Sequence, residues 1–411
     1  MNRHTTIAIL VAALAPTMLL WSPALAQDSK TVRYLPKRGL PLKAEMVSRV
    51  DLSQITDKKV NGLLNAIGKA IPKESTDGHK MLDDFRKKAL PGILKGRDIL
   101  YKAGIEQIVL PAEATDEPNE VEKQATPDGM DDQGGRGEVE SDSETSDDGN
   151  VEFLLLKVRQ NTTPAAAKKA FVEAATEGIK AAKPYLKEMQ KKAKNNQGNG
   201  LTVESPTKDL NKQIATLEKD LKEMKFSRWE DGWVLVSQKD AEPNDPLGAG
   251  TKGLTALNTA LARSKNAPIA VGYRLTDQAR AKMIKGDMNN QMFGGLNAAA
   301  AQMNWTAGWL EMTDEPRMLV VVSFPTSQDA TTFHGGVTKM IMFIGGLMAM
   351  GEGMGQQNDP NAAASAAAMQ GLLADIAPAH SDKEVQFTIT TTTLRKLMLL
   401  SAMQDDTDEA N

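Results

Sequence analysis

The chain has 411 residues, a net charge of −4 and no cysteine, which excludes disulfides, thiol nucleophiles and cysteine-ligated metals. Its four histidines include His4 near the start, so His79, His334 and His380 are the whole imidazole supply for acid–base or zinc chemistry in the body of the protein. A chain of this length exceeds one ordinary core, and two domains are expected.

The chain opens with Arg3, an apolar run Ile7–Trp21 broken by Pro16, and the small-x-small triplet Ala24-Leu25-Ala26. This order is that of a cleavable secretory signal over residues 1–26, cleaved after Ala26 to leave Gln27 as the mature N-terminus. The run falls short of the roughly 20 residues that span a bilayer, so the expected location is the periplasm or the extracellular space.

Residues 44–52 (AEMVSRVDL) place Met46, Val50 and Leu52 on one face of a strand. Helical stretches over Asp57–Ala70 and His79–Ala103 lead to a strand at Ile105–Leu110, and the more apolar Val151–Val158 reads as a central strand. Between these two strands, Glu113–Asp148 holds fourteen acidic residues against Lys123 and Arg136. The segment 113–150 therefore reads as a disordered acidic insertion. Thr163 followed by Pro164 is N-cap chemistry for the helix that follows, a second helix covers Lys208–Met224, and Trp233–Ser237 alternates as a strand.

After a turn-rich linker, 241–252, the same order recurs. A strand at 268–275 (PIAVGYRL) is followed by helical Thr276–Gln302, a strand at Trp305–Met312, a turn Thr313–Arg317 and an apolar strand at Met318–Phe324. A helix capped by Ser327, a helix at Asn361–Ile376 and a strand at Val385–Ile389 complete the unit. The expectation is an α+β protein of two related repeats, 27–240 and 253–402, each an antiparallel sheet with helices packed on one face. Residues 403–411 form an acidic tail. Removing both acidic stretches and Arg3 from the total of −4 leaves the rest of the mature chain at +11.

The opening GLPLKAEMVSRVDLSQI and the run WTAGWLEMTDEPRMLVVVSF, together with the signal segment, resemble a loose group of exported proteins of unknown function common in planctomycetes. The resemblance implies a fold type and an envelope location and carries over no active-site residue.

Candidate chemistry is sparse. His79 and Asp83 stand one helical turn apart, but no further ligand or HExxH accompanies them, and a surface salt bridge is the expected role. His334 and His380 read as capping and loop residues. Gly345, Gly346, Gly351, Gly353 and Gly355 lack the spacing of a phosphate loop and read as close helix packing followed by a turn. No G-x-S-x-G elbow and no calcium-binding loop pattern occurs, and no cofactor is implied. The methionine-rich Met340–Met354 reads as core filler.

Lys168, Lys169, Lys180, Lys183, Lys187, Lys191 and Lys192, with Lys212, Lys219 and Lys222, decorate two helices whose apolar stripes suit an antiparallel hairpin, a candidate surface for polyanions. The leading expectation is a non-catalytic exported envelope protein with a binding or structural role, its partner an anionic envelope polymer or another envelope protein. One rival is a hydrolase working through Asp and Glu side chains, and a second is a binder of an anionic polymer or membrane surface through the lysine-rich helical pair.

Overall fold

The computed structural model describes residues 34–40, 44–71, 76–112, 153–196, 215, 219–238, 251–264, 267–287, 295–355 and 370–396. The signal segment with Ala24, Ala26 and Gln27, the acidic segment 113–150, most of the helix expected at Lys208–Met224, residues 241–250 of the linker and the tail 403–411 lie outside them.

β1 (Met46–Asp51) is followed by α1 (Asp57–Ala70), α2 (Thr76–Asp84), a π-helical turn (Phe85–Ala89) and α3 (Leu90–Lys102). Then come β2 (Ile105–Ala112), β3 (Phe153–Val158), α4 (Pro164–Asn196), β4 (Lys225–Glu230) and β5 (Trp233–Ser237). The second half holds α5 (Thr251–Arg263), β6 (Ile269–Tyr273), α6 (Asp277–Asp287), α7 (Leu296–Ala300), β7 (Trp305–Glu311), β8 (Arg317–Ser323), α8 (Ser327–Gly355), β9 (Ala379–Ser381) and β10 (Glu384–Thr390).

The fold is α+β, and its strands form one sheet of ten in the order β4-β5-β3-β2-β1-β6-β7-β8-β10-β9. Every pairing is antiparallel. Two separate sheets were expected. Instead β1 and β6 pair, with Met46 opposite Tyr273 and Val50 opposite Ile269, and this seam fuses the halves. Counted outward from it, both sides run first, second, third, fifth, fourth strand. The outermost strands are blunt: β9 has three residues, all exposed, and β4 carries Lys225, Arg228 and Glu230.

The expectation of helices on a single face is also corrected. On the front face Val50, Ile108 and Leu156 pack under Leu100 of α3 and Ala167, Ala170 and Ala174 of α4, and Val320 and Val322 pack under Ala330, Phe333 and Val337 of α8. Leu63 of α1 meets Ile269, Leu310 and Met312 across the seam. On the back face Val47, Ala270, Ala307 and Trp309 lie under Leu257, Ala260 and Leu261 of α5 and against a strap containing Tyr34, Leu35 and Leu40. Strands apolar on both sides need cover on both. Gly272 lets α5 settle: a Cβ there would stand 3.2 Å from both the Ala260 Cβ and the Leu257 carbonyl oxygen.

Local chemistry sets the helix starts. The Thr56 side chain accepts from the Lys59 amide at the head of α1, and Thr163 accepts from the Ala166 amide at 3.2 Å, the cap expected before Pro164. The cap of α8 is Thr326 rather than Ser327. The Asp329 amide donates to its hydroxyl at 3.1 Å, and that hydroxyl donates to the Asp329 carboxylate at 2.6 Å. The α3–α4 crossing rests on Gly92 and Gly96, four residues apart on α3, which face Ala181 and Ala174.

Candidate functional site

With the sheet filled on both faces, its interior strands are covered, and many of the side chains available to another molecule among the described residues lie on the helices. Lys169, Lys180 and Lys187 are exposed on α4 and Lys183 is half-buried. Lys168 is committed elsewhere: its Nζ donates to the carbonyls of Lys222 at 3.0 Å and Met224 at 2.8 Å, closing the helical turn before β4. Lys219 and Lys222 are exposed, with Lys219 standing 3.9 Å from Glu223, and the side chains of Lys191, Lys192 and Lys212 lie outside the described residues.

Most of the second helix of the expected hairpin lies outside the described residues, and α4 is seen to cross α3 at Gly92 and Gly96. Leu221 still joins Ala175 and Ile179, with Phe171 and Met224 packed against them. The charge on α4 is mixed, since Glu177 accepts from Lys95 at 2.8 Å, and that bond holds the Glu177 carboxyl below its ordinary range.

His334 and His380, read from the sequence as unrelated, come together. Their rings stand 5.7 Å apart, one on α8 and the other on β9. His334 Nε2 lies 3.0 Å from the Pro378 carbonyl and so carries the proton there, and His380 Nε2 lies 3.4 Å from the Thr331 hydroxyl. Beside them is a cavity of about 280 Å³ lined by apolar residues that include Ile341, Met342 and Leu373. Met342 is 69% exposed and Phe343 37%, so the expectation of a methionine-rich core fails at these positions. They fall on the solvent side of α8. The glycines read as a turn lie within α8, which continues to Gly355, and a Cβ at Gly346 would meet nothing within 4 Å among the described residues.

Arg49 in β1 is buried with no exposed surface. Its Nη2 donates to the Ser264 carbonyl at 2.9 Å and hydroxyl at 3.1 Å just beyond α5, and its guanidinium carbon lies 4.4 Å from the centre of the Tyr34 ring. Burial lowers its proton affinity, opposed by the nearby Asp51. Asp51 in turn accepts from the Gln107 amide at 2.9 Å and from the Ser53 hydroxyl. This cluster ties β1 to α5 and is closed to ligands.

His79 and Asp83 do not form the expected salt bridge among the described residues. Both line an open cavity of about 420 Å³ between α1 and α2, where Asn65, Gly68 and Lys69 of α1 meet Leu82 of α2 and Arg86 of the π turn. The signal was present in the sequence. His79, Leu82, Asp83 and Arg86 are spaced i, i+3, i+4, i+7, and Asn65, Gly68 and Lys69 are spaced i, i+3, i+4, so each set occupies one helix face. Reading His79 and Asp83 as a pair in isolation missed the second helix. Among the described residues no group of three or more His, Asp or Glu side chains is placed to hold a metal ion. Compared with known proteins, the chain matches no family model, no curated protein and no solved structure.

Proposed function

We propose that this is an exported, non-catalytic binding protein of the cell envelope, built from two copies of one α+β unit. The observation that carries the binding reading is the closure of the sheet on both faces, by α5 and the Tyr34–Leu40 strap behind and by the other helices in front. Contact with another molecule then falls to the outer surfaces of the helices. A hydrolase of the carboxylate type needs two acidic side chains flanking one bond, and the two cavities described above contribute one carboxylate between them, Asp83. Support for duplication comes from the matching strand order on the two sides of the seam. Support for export comes from the Arg3, Ile7–Trp21 and Ala24-Leu25-Ala26 pattern and from the likeness in layout to exported planctomycete proteins.

Footprinting by hydroxyl radicals tests the binding reading. Added envelope material should protect outward side chains of α1, α2, α4 and α8, and protection confined to strand ends, or none, would overturn it. A second reading, binding of an anionic polymer, is favoured by the exposure of Lys169, Lys180 and Lys187. Changing all three to glutamine should lower the salt concentration needed to elute the protein from a polyanion column, and unchanged elution would remove these lysines from the surface. N-terminal sequencing of exported protein should read Gln27 first.

A further inference from the structure

The cavity between α1 and α2 gathers Lys69, His79 and Arg86 around one space, together with the Asn65 amide, against the single carboxylate of Asp83. Two cations, Lys69 and Arg86, facing one carboxylate are more positive charge than an internal pair requires, and with the His79 imidazole they approach from both helices and so from different sides. Arg86 is held in place by its Nη2, which donates to Asn65 Oδ1 at 2.9 Å. Its Nε is buried and meets no acceptor among the described residues, so the reach of Arg86 into the cavity is through its other nitrogens. Gly68 lets α1 and α2 approach here: a Cβ there would lie 3.0 Å from the Leu82 Cδ2. Arg86 also sits on the π turn, a widened helical turn of the kind that recurs at functional sites, and the neighbouring Phe85 anchors that turn edge-on against Tyr185 of α4 with ring centres 5.9 Å apart.

We propose that this cavity binds a phosphate oxyanion, free or as the phosphate of a small monoester. The guanidinium N–H groups not spent on Asn65, an ammonium, an imidazole and an amide supply donors to several oxygens at once, which suits a tetrahedral dianion better than a single carboxylate. The volume of about 420 Å³ leaves space for an organic group beside the phosphate. The proposal deepens the binding reading by naming a site and ligand chemistry, and it rests on that reading only for its biological use.

The test is calorimetric titration of the purified protein at low salt with inorganic phosphate, with glycerol 3-phosphate and with acetate. Saturable binding of phosphate or its monoester is expected, with acetate at least roughly tenfold weaker, and the two phosphate arms show whether the free anion or the ester is preferred. Lys69→Gln and Arg86→Gln should each weaken phosphate binding by roughly tenfold or more, and Lys339→Gln on α8 should not change it. Lys69 is exposed, so its variant decides the matter if Arg86→Gln fails to fold. Absence of saturable phosphate binding, equal binding by Lys69→Gln, or acetate binding as tightly as phosphate would overturn the site. None of these outcomes alters the footprint expected on envelope material, so failure of the site is separable from failure of the binding reading.

Discussion

Arg49 shows how one side chain can join two layers. It stands at an alternating position of β1 where a charged residue reads as facing solvent, yet its partner is the end of α5, more than two hundred residues away in the chain. Truncation would leave a cavity, strip the Ser264 groups of their donor and uncover the Tyr34 ring. Arg49→Ala should therefore cost about 3–5 kcal/mol, read as a lower urea midpoint, and a loss below about 1 kcal/mol would show that the cluster relaxes freely. Two tyrosines give a pH signature. Burial raises the Tyr185 and Tyr273 hydroxyls above their ordinary value of 10.0, helped by Asp84 beside the first and Glu45 beside the second. A raised acid favours its protonated form in the fold. The stability it contributes is present below the unfolded value of about 10 and is lost as pH rises through the folded value. Melting temperature should fall more steeply above pH 10 in the parent protein than in a Tyr185→Phe, Tyr273→Phe variant, and parallel curves would show that the folded environment does not hold these protons. Among single residues, the Thr163 cap and the Pro164 start were legible because their chemistry is local. Arg49 and the His334–His380 pair were not, since what decides them is a partner from another part of the chain.

At the scale of elements, the crossing of α3 and α4 depends on missing side chains. A Cβ at Gly92 would stand 2.0 Å from the Ala181 Cβ, and one at Gly96 3.1 Å from the Ala174 carbonyl oxygen, whereas one at Gly178 on α4 would meet nothing within 4 Å among the described residues. Gly92→Ala should destabilise by about 1–3 kcal/mol through overpacking. Gly178→Ala should stabilise by about 0.5–1 kcal/mol through helix propensity. Thermal unfolding of the pair checks both signs, and equal effects would mean that the two helices are not in close contact. The major strands and the helices between them could be read from period and turn chemistry, including the Thr313–Arg317 hairpin, where Arg317 Nε lies 2.7 Å from Glu311 Oε2. Three elements could not. α5 is hidden because it begins directly after the turn-rich DAEPNDPLGAG and carries a glycine in its own first turn. β4 (KFSRWE) is a polar edge strand with little alternation, although the Asp231-Gly232 turn beside it, with Gly232 at φ 78°, is a hairpin signal. β9 spans only Ala379–Ser381 and turns at Asp382, φ 47°, too short to show a period. The α1–α2 cavity was legible in part, as two helix faces carrying polar residues, while their convergence is a tertiary fact.

At the scale of the whole molecule, the acidic segment occupies a connection that needs few residues. β2 and β3 are adjacent and antiparallel, with Val109 opposite Leu155, so Ala112 and Phe153 lie at the same end of the pair. Replacing residues 113–150 with Asp-Gly should leave the melting temperature within a few degrees, since loop length enters stability only logarithmically, and a collapse of folding would show that the segment packs on the body. The seam has the opposite character. β1 is among the first strands made, yet its second neighbour, β6, is synthesised some 220 residues later, roughly at the far end of the loop-closure scale. During synthesis, the strand destined for the middle of the sheet spends that interval as a rim, with Val47 and Val50 beside an open row of amides and carbonyls. The vulnerable moment of this protein is therefore the wait before β6 arrives, and an unfinished chain is most prone there to pair with a stranger, although both rims of the finished sheet are blunt.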